Sequence, residues 1–172
     1  TTYTEDRDLN GNGIIESNEI DKGTHMGTYD IGGSYANNVT WLRCRQSNSI
    51  TDQTYWGVMG TNYCKNLTFD SSYLSRFDAH AGIYNLKIKN TTISYIKLTG
   101  GGKAIIENSK IIAPEGLAIP FLQLRSDYGS TWRGDIVIKD CEFINWMAPE
   151  VYILAGGWNN WAFGYKTYLP NI

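Results

Sequence analysis

Arg76, Asp78 and His80 alternate along one short stretch, Tyr95 and Lys97 along another, and Arg125 and Asp127 along a third. Side chains two apart on a strand point to the same face, so each set can share a surface. Carboxylates, a histidine and cations on one face offer two chemistries. Glycoside hydrolysis takes two carboxylates. If Asp78 and Asp127 stood two strands apart in a stack, about 9.6 Å would separate them. That is near the ~6.5–9.5 Å of inverting enzymes, which leave room for a water. Elimination takes a base at the proton next to a uronate carboxylate and a cation on that carboxylate. Lys97 or Arg125 would be the base and Arg76 would pair the uronate, while His80 serves either scheme. Tyr95 would line the substrate, and His25 and Asp30 would extend the surface by one unit. Arginine and aspartate on a sheet face also form plain ladders of cross-strand pairs. No spacing here chooses between site and ladder.

A second group is metal-like. Residues 8–19, DLNGNGIIESNE, fit D-x-[DN]-x-[DN]-G-x5-E at every defined position. Asp8, Asn10 and Asn12 offer alternate side-chain oxygens, and Gly13 permits the sharp turn. Ile14 supplies a backbone carbonyl, Glu16 ligates directly or through water, and Glu19 closes the site with both oxygens. The stretch resembles an EF-hand or dockerin-type loop. Residues 1–7 are too few and too polar for a good entering helix. The expectation is a lone structural Ca2+ site in an insertion spanning 1–23, with an ion-free Asn/Gly-rich hairpin as the alternative.

The elements that must position these groups are written in a repeat. LKIKNTTI (86–93), AIIENSKI (104–111) and IVIKDCEF (136–143) all read apolar-x-apolar-x-[Asn/Asp]-[Ser/Thr/Cys]-x-apolar. LTFDSSYL (67–74) fits with serine at the Asn/Asp place, and VTWLRCRQ (39–46) fits more loosely. Period two marks a half-buried strand. Asn90, Asn108 and Asp140 stand where the chain must bend, and Asn and Asp tolerate the left-handed conformation. Cys44, Ser72, Thr91, Ser109 and Cys141 share one small inward place. The starts at 39, 67, 86, 104 and 136 are 28, 19, 18 and 32 residues apart, so connections vary while the core strand does not. Repeated strand and corner predict an all-β fold, a right-handed parallel β-helix over 24–172. An antiparallel sandwich shares the strand grammar but repeats no corner.

Further blocks carry a resemblance: THMGTYD (24–30), WGVMG (56–60), SRFDAH (75–80) and LRSDYGSTW (124–132). With the repeats, residues 24–170 resemble bacterial and phage proteins of the pectin-lyase-like superfamily. The resemblance implies a right-handed β-helix, a polysaccharide groove on an outer sheet face, and lyase, glycosidase or tailspike activity in many members. It implies an extracellular setting: secreted, cell-surface or virion. Many members have no known activity, so a non-catalytic stalk or adhesin segment is the alternative function.

Composition narrows the rest. Fifteen Lys and Arg against seventeen Asp and Glu make a near-balanced chain, which argues against a nucleic-acid surface. No stretch approaches the ~20 apolar residues of a membrane span. The three cysteines, Cys44, Cys64 and Cys141, read as buried thiols acting as small hydrophobes, with Cys44–Cys64 the one pairing left open. Asn38, Asn66 and Asn90 each begin an N-x-Thr triplet, read here as turn chemistry rather than glycosylation. Trp158 and Trp161 would stack on sugars or cover the end of the solenoid, with cover favoured. Thr1 is not an initiating residue and residues 168–172 form no cap. The expectation is a fragment of a longer extracellular protein or fibre, with further domains or a homotrimer covering the open end.

Overall fold

The computed structural model describes residues 35–45, 59–74, 76–113, 120–127, 130–145, 151–158 and 171. These residues are mostly strand, with no helix. In chain order the strands are β1 (Asn37–Leu42), β2 (Met59–Asp70), β3 (Phe77–Lys89), β4 (Thr92–Ile93), β5 (Ile96–Leu98) and β6 (Gly100–Glu107). There follow β7 (Lys110–Ile112), β8 (Leu122–Asp127), β9 (Ser130–Thr131), β10 (Asp135–Lys139), β11 (Glu142–Ile144) and β12 (Leu154–Trp158). Every pairing between them is parallel except the β8–β9 hairpin.

The repeat predicted from sequence stacks in register. Val39 pairs with Leu67, Leu67 with Leu86, Leu86 with Ala104, and Ala104 with Ile136. Each first residue of the motif therefore lies on the first residue of the next, and the third residues follow. β3 is long enough to serve two neighbours. Its start pairs β5, and its later part pairs β6. A smaller sheet, ordered β11-β7-β4, takes up the chain after the corner.

The corner works as drawn from the sequence. Asn90, Asn108 and Asp140 all have positive φ, between 47° and 52°. Ser71 and Arg43 adopt the same conformation at the same place, although neither residue type favours it. The bend is enforced from outside. Each corner N–H donates to a carbonyl of the following unit: Arg43 to Asp70, Ser71 to Lys89, Asn90 to Glu107, and Asn108 to Lys139. The small residue after the bend closes a second column. Ser72, Thr91 and Ser109 each donate their hydroxyl to the carbonyl two residues back, at 2.9, 2.8 and 2.7 Å. The same oxygens accept the N–H of Cys44, Ser72 and Thr91, at 3.1, 3.2 and 3.1 Å. Buried backbone groups must be paired, and one hydroxyl satisfies a donor and an acceptor at once.

A column of asparagines marks another bend. Asn38, Asn66 and Asn85 have φ of 56°, 55° and 64°. Asn66 Nδ2 donates to Asn38 Oδ1 at 2.7 Å, and Asn85 Nδ2 to Asn66 Oδ1 at 2.8 Å. The three N-x-Thr asparagines, Asn38 and Asn66 here and Asn90 at the corner, thus all sit at left-handed bends, the turn role expected of them.

Inside the stack the apolar residues form continuous rows. Phe69, Ile88 and Ile106 are fully buried along one, and Leu67, Leu86, Ala104 and Ile136 along its neighbour. Trp41 stacks on Phe69 with centroids 4.9 Å apart, and Phe77 meets Phe69 edge-on. Each fully buried aliphatic or aromatic side chain is worth about 1.5–3 kcal/mol, so the rows dominate stability. None of the three cysteines forms a disulfide among the described residues. Cys64 is buried, which pushes its thiol pKa up. Cys44 and Cys141 are half-buried and use their sulfurs as the neighbouring hydroxyls do, toward Leu42 and Lys139 carbonyls.

Candidate functional site

The alternation inferred for the strands of β3, β5 and β8 holds on the inward side. Phe77, Ala79, Ile96, Leu98, Leu122 and Leu124 are core residues. On the opposite side the register aligns Asp78 with Lys97 and Lys97 with Gln123. Arg76 and Tyr95 precede that row, and Arg125 follows it. Five of the predicted residues, Arg76, Asp78, Tyr95, Lys97 and Arg125, therefore come from three neighbouring strands to one face.

That face is not an open groove. Asp78 is 0 % exposed, Arg76 4 %, Arg125 5 % and Tyr95 7 %. Arg125 Nη1 donates to Asp78 Oδ1 at 2.6 Å, and Arg76 Nη2 stands 3.4 Å from Asp78 Oδ2. Arg76 Nη1 also donates to the Tyr95 hydroxyl. The Arg76 guanidinium and the Lys97 ammonium each lie 5.3 Å from the Tyr95 ring centroid. Burial pushes the Tyr95 phenol pKa up, partly opposed by Arg76, so the phenol keeps its proton near neutrality. Gln123, 1 % exposed, adds an acceptor to the row, and its Oε1 has no hydrogen-bond partner.

Both oxygens of Asp78 are engaged by guanidinium groups. Attack on a sugar would require breaking these pairs within a buried site. Paired burial of this kind is the usual condition for keeping charge inside a protein.

The strand register does not set Asp127 opposite Asp78. In β8 the residue aligned with Asp78 is Gln123, through Lys97. Asp127 lies four residues farther along, at the hairpin where it pairs with Ser130. Four strand residues add about 13 Å to two strand spacings, giving roughly 16 Å overall. That exceeds the inverting geometry. The expectation counted strands but not the offset along them. His80 continues β3 two residues past Asp78; its side chain lies outside the description. His25, Asp30 and the calcium-loop residues Asp8, Asn10, Asn12, Ile14, Glu16 and Glu19 lie outside the described residues.

Sequence reasoning missed a second feature. Around the asparagine bend a groove of about 480 Å³ opens, lined by Tyr63, Lys65, Gly82, Tyr84, Gly100 and Gly101 among others. Tyr63 and Tyr84 are 60 % and 53 % exposed. Tyr35, still more exposed, stacks on Tyr63 at 5.4 Å. Lys65 Nζ stands 5.8 Å from the Tyr84 centroid, because Lys65, Tyr84 and Gly101 share one row of the sheet. Left-handed bends at Tyr63, Asn66 and Asn85 lie within and beside this set of outward side chains.

A Cβ at Gly100 would stand 2.1 Å from the Ile83 carbonyl oxygen, and φ there is 108°. Glycine at 100 is a packing requirement. Gly101 differs: a Cβ would meet only ordinary contacts at 3.8 Å or beyond, from Arg133 and Gly134. Its missing side chain leaves the groove floor open without being needed by the fold. Beyond the bend a second groove of about 360 Å³ continues, with Asn66, Thr68, Asn85, Lys87 and Lys103 in its lining.

No family model, no curated protein and no solved structure matches the chain.

Proposed function

We propose that this chain forms a right-handed parallel β-helix of the extracellular kind, resembling pectin-lyase-like proteins of secreted or phage-tail origin. On this reading it binds a polysaccharide or cell-surface glycan without cleaving it through the Asp78 cluster. The observation that carries the reading is the exposed tyrosine groove. Flat aromatic faces accept the apolar face of a sugar ring, and a nearby amine bonds its hydroxyls. The β-helix itself is supported by the repeat stacking in register through parallel strands and by the corner columns. The paired, buried state of Asp78 favours binding over hydrolysis, and it also favours the second reading, a structural stalk. A structural Ca2+ in the loop at 8–19 remains part of the proposal, held by Asp8, Asn10, Asn12, Ile14, Glu16 and Glu19.

A glycan array run beside a reducing-end assay tests it. The expected result is binding to at least one glycan with no turnover. Turnover lost in Asp78→Asn would overturn the non-cleaving part. No binding to any acidic or neutral glycan would leave the stalk. For calcium, a melting temperature lowered by EDTA and restored by Ca2+ is expected, and an unchanged one would remove the ion.

A further inference from the structure

We infer that the tyrosine groove and its continuation take an anionic saccharide, bound through a carboxylate or sulfate substituent; this rests on the glycan-binding reading above. The two grooves adjoin. Lys65 and Tyr84 of the first are followed in sequence by Asn66 and Asn85 of the second, and Lys103 lies two residues past Gly101. Among the described residues they are together lined by Lys65, Lys87 and Lys103 and by no carboxylate, in a chain whose acids outnumber its bases. Lys87 is held by Glu107 at 2.8 Å. Lys65 and Lys103 are exposed and have no carboxylate partner among the described residues. Lys65 is already placed against Tyr84, so a ring lying on the tyrosine brings its substituent to the amine. Lys103 is fixed from the backbone, where its N–H donates to Asn85 Oδ1 at 3.0 Å. Hydrogen bonds from ammonium to an anionic oxygen are about twice as strong as neutral ones. An anionic ring is therefore preferred over a neutral one of the same shape.

The test titrates the full chain calorimetrically with oligogalacturonate, a sulfated dextran oligosaccharide and maltohexaose, at about 50 mM and about 300 mM salt. The anionic probes are expected to bind roughly tenfold more tightly than the neutral one and to weaken as salt rises. Comparison of the carboxylate and sulfate arms identifies the group. The double variant Lys65→Gln, Lys103→Gln, surface changes that leave the core intact, should abolish that preference. Gly101→Val should block all three probes, with its urea midpoint showing that it folds. Equal, salt-independent binding of maltohexaose would overturn the charge inference while leaving glycan binding standing. Anionic binding untouched by the lysine pair would move the site elsewhere and overturn it too. No binding by any probe would remove this inference together with the reading beneath it.

Discussion

Arg125 Nη1 lies 2.6 Å from Asp78 Oδ1, although 47 residues separate them in the chain. Nothing local brings them together. The pair exists because β3, β5 and β8 stack in one register, so it reports on the whole assembly of three units. Asp78→Ala removes a carboxylate that pairs with both guanidiniums, and breaking a buried pair costs about 3–5 kcal/mol. Urea denaturation should show a loss of that size. Replacing Arg76, Asp78 and Arg125 together with apolar residues of similar volume should cost much less than the single change.

The hydroxyl column gives a sharper test of the corner. Thr91→Val keeps the shape but removes an oxygen that bonds both the Lys89 carbonyl and the Ser72 N–H. Each buried group left unpaired costs about 1–3 kcal/mol. Thr91→Ser keeps the oxygen and should lie within about 1 kcal/mol of the parent. The difference between the two midpoints measures the column itself.

Glycine 100 and glycine 101 should part company. Gly100→Ala forces a Cβ into the Ile83 backbone at positive φ, and a loss of about 2 kcal/mol or more is expected. Gly101→Ala should be near neutral in the same denaturation assay. Equal effects at the two positions would contradict the distinction drawn between packing and an open floor.

Acid should act through Asp70. Hydrogen bonds from Asn90 and then Lys89 hold its carboxyl at a pKa of about 2, with Asn90 Nδ2 at 3.0 Å and Lys89 Nζ at 3.0 Å. The folded value is depressed, so the native state favours the ionised form. Its contribution to stability is complete above the usual value of 3.8 and fades as pH falls toward 2. Denaturation curves of the parent and Asp70→Asn should differ at pH 5 and converge as pH approaches about 2.

The sequence was most informative where one residue type satisfied one geometric demand many times over. Asn90, Asn108 and Asp140 announced their bends, and the motif starts at 39, 67, 86, 104 and 136 turned out to be stacking partners. It was silent where neighbours dictate conformation. Arg43 and Ser71 take left-handed backbones that their types do not favour, because bonds to the adjoining unit hold them, and Tyr63 takes one too. Alternation gave the direction of Arg76, Asp78, Tyr95, Lys97 and Arg125 but not their burial, since period two does not say what lies over a face. The offset of Asp127 escaped for a related reason. Strand spacing is fixed by hydrogen bonding, whereas position along the strand depends on connection length.

The oxygen column at Ser72, Thr91 and Ser109 has a directional grammar. Every hydroxyl gives to its own unit and receives from the unit before it, so the instructions for adding a unit are carried within that unit. A duplicated segment bringing its own serine or threonine after its own bend can be spliced in without rewriting either neighbour. Among the described residues thiols stand at the two limits of the column, Cys44 and Cys141, and hydroxyls stand between. Growth and shrinkage by whole units are thus built into the chain as a copying rule, and a protein of this design can change its length while keeping its cross-section.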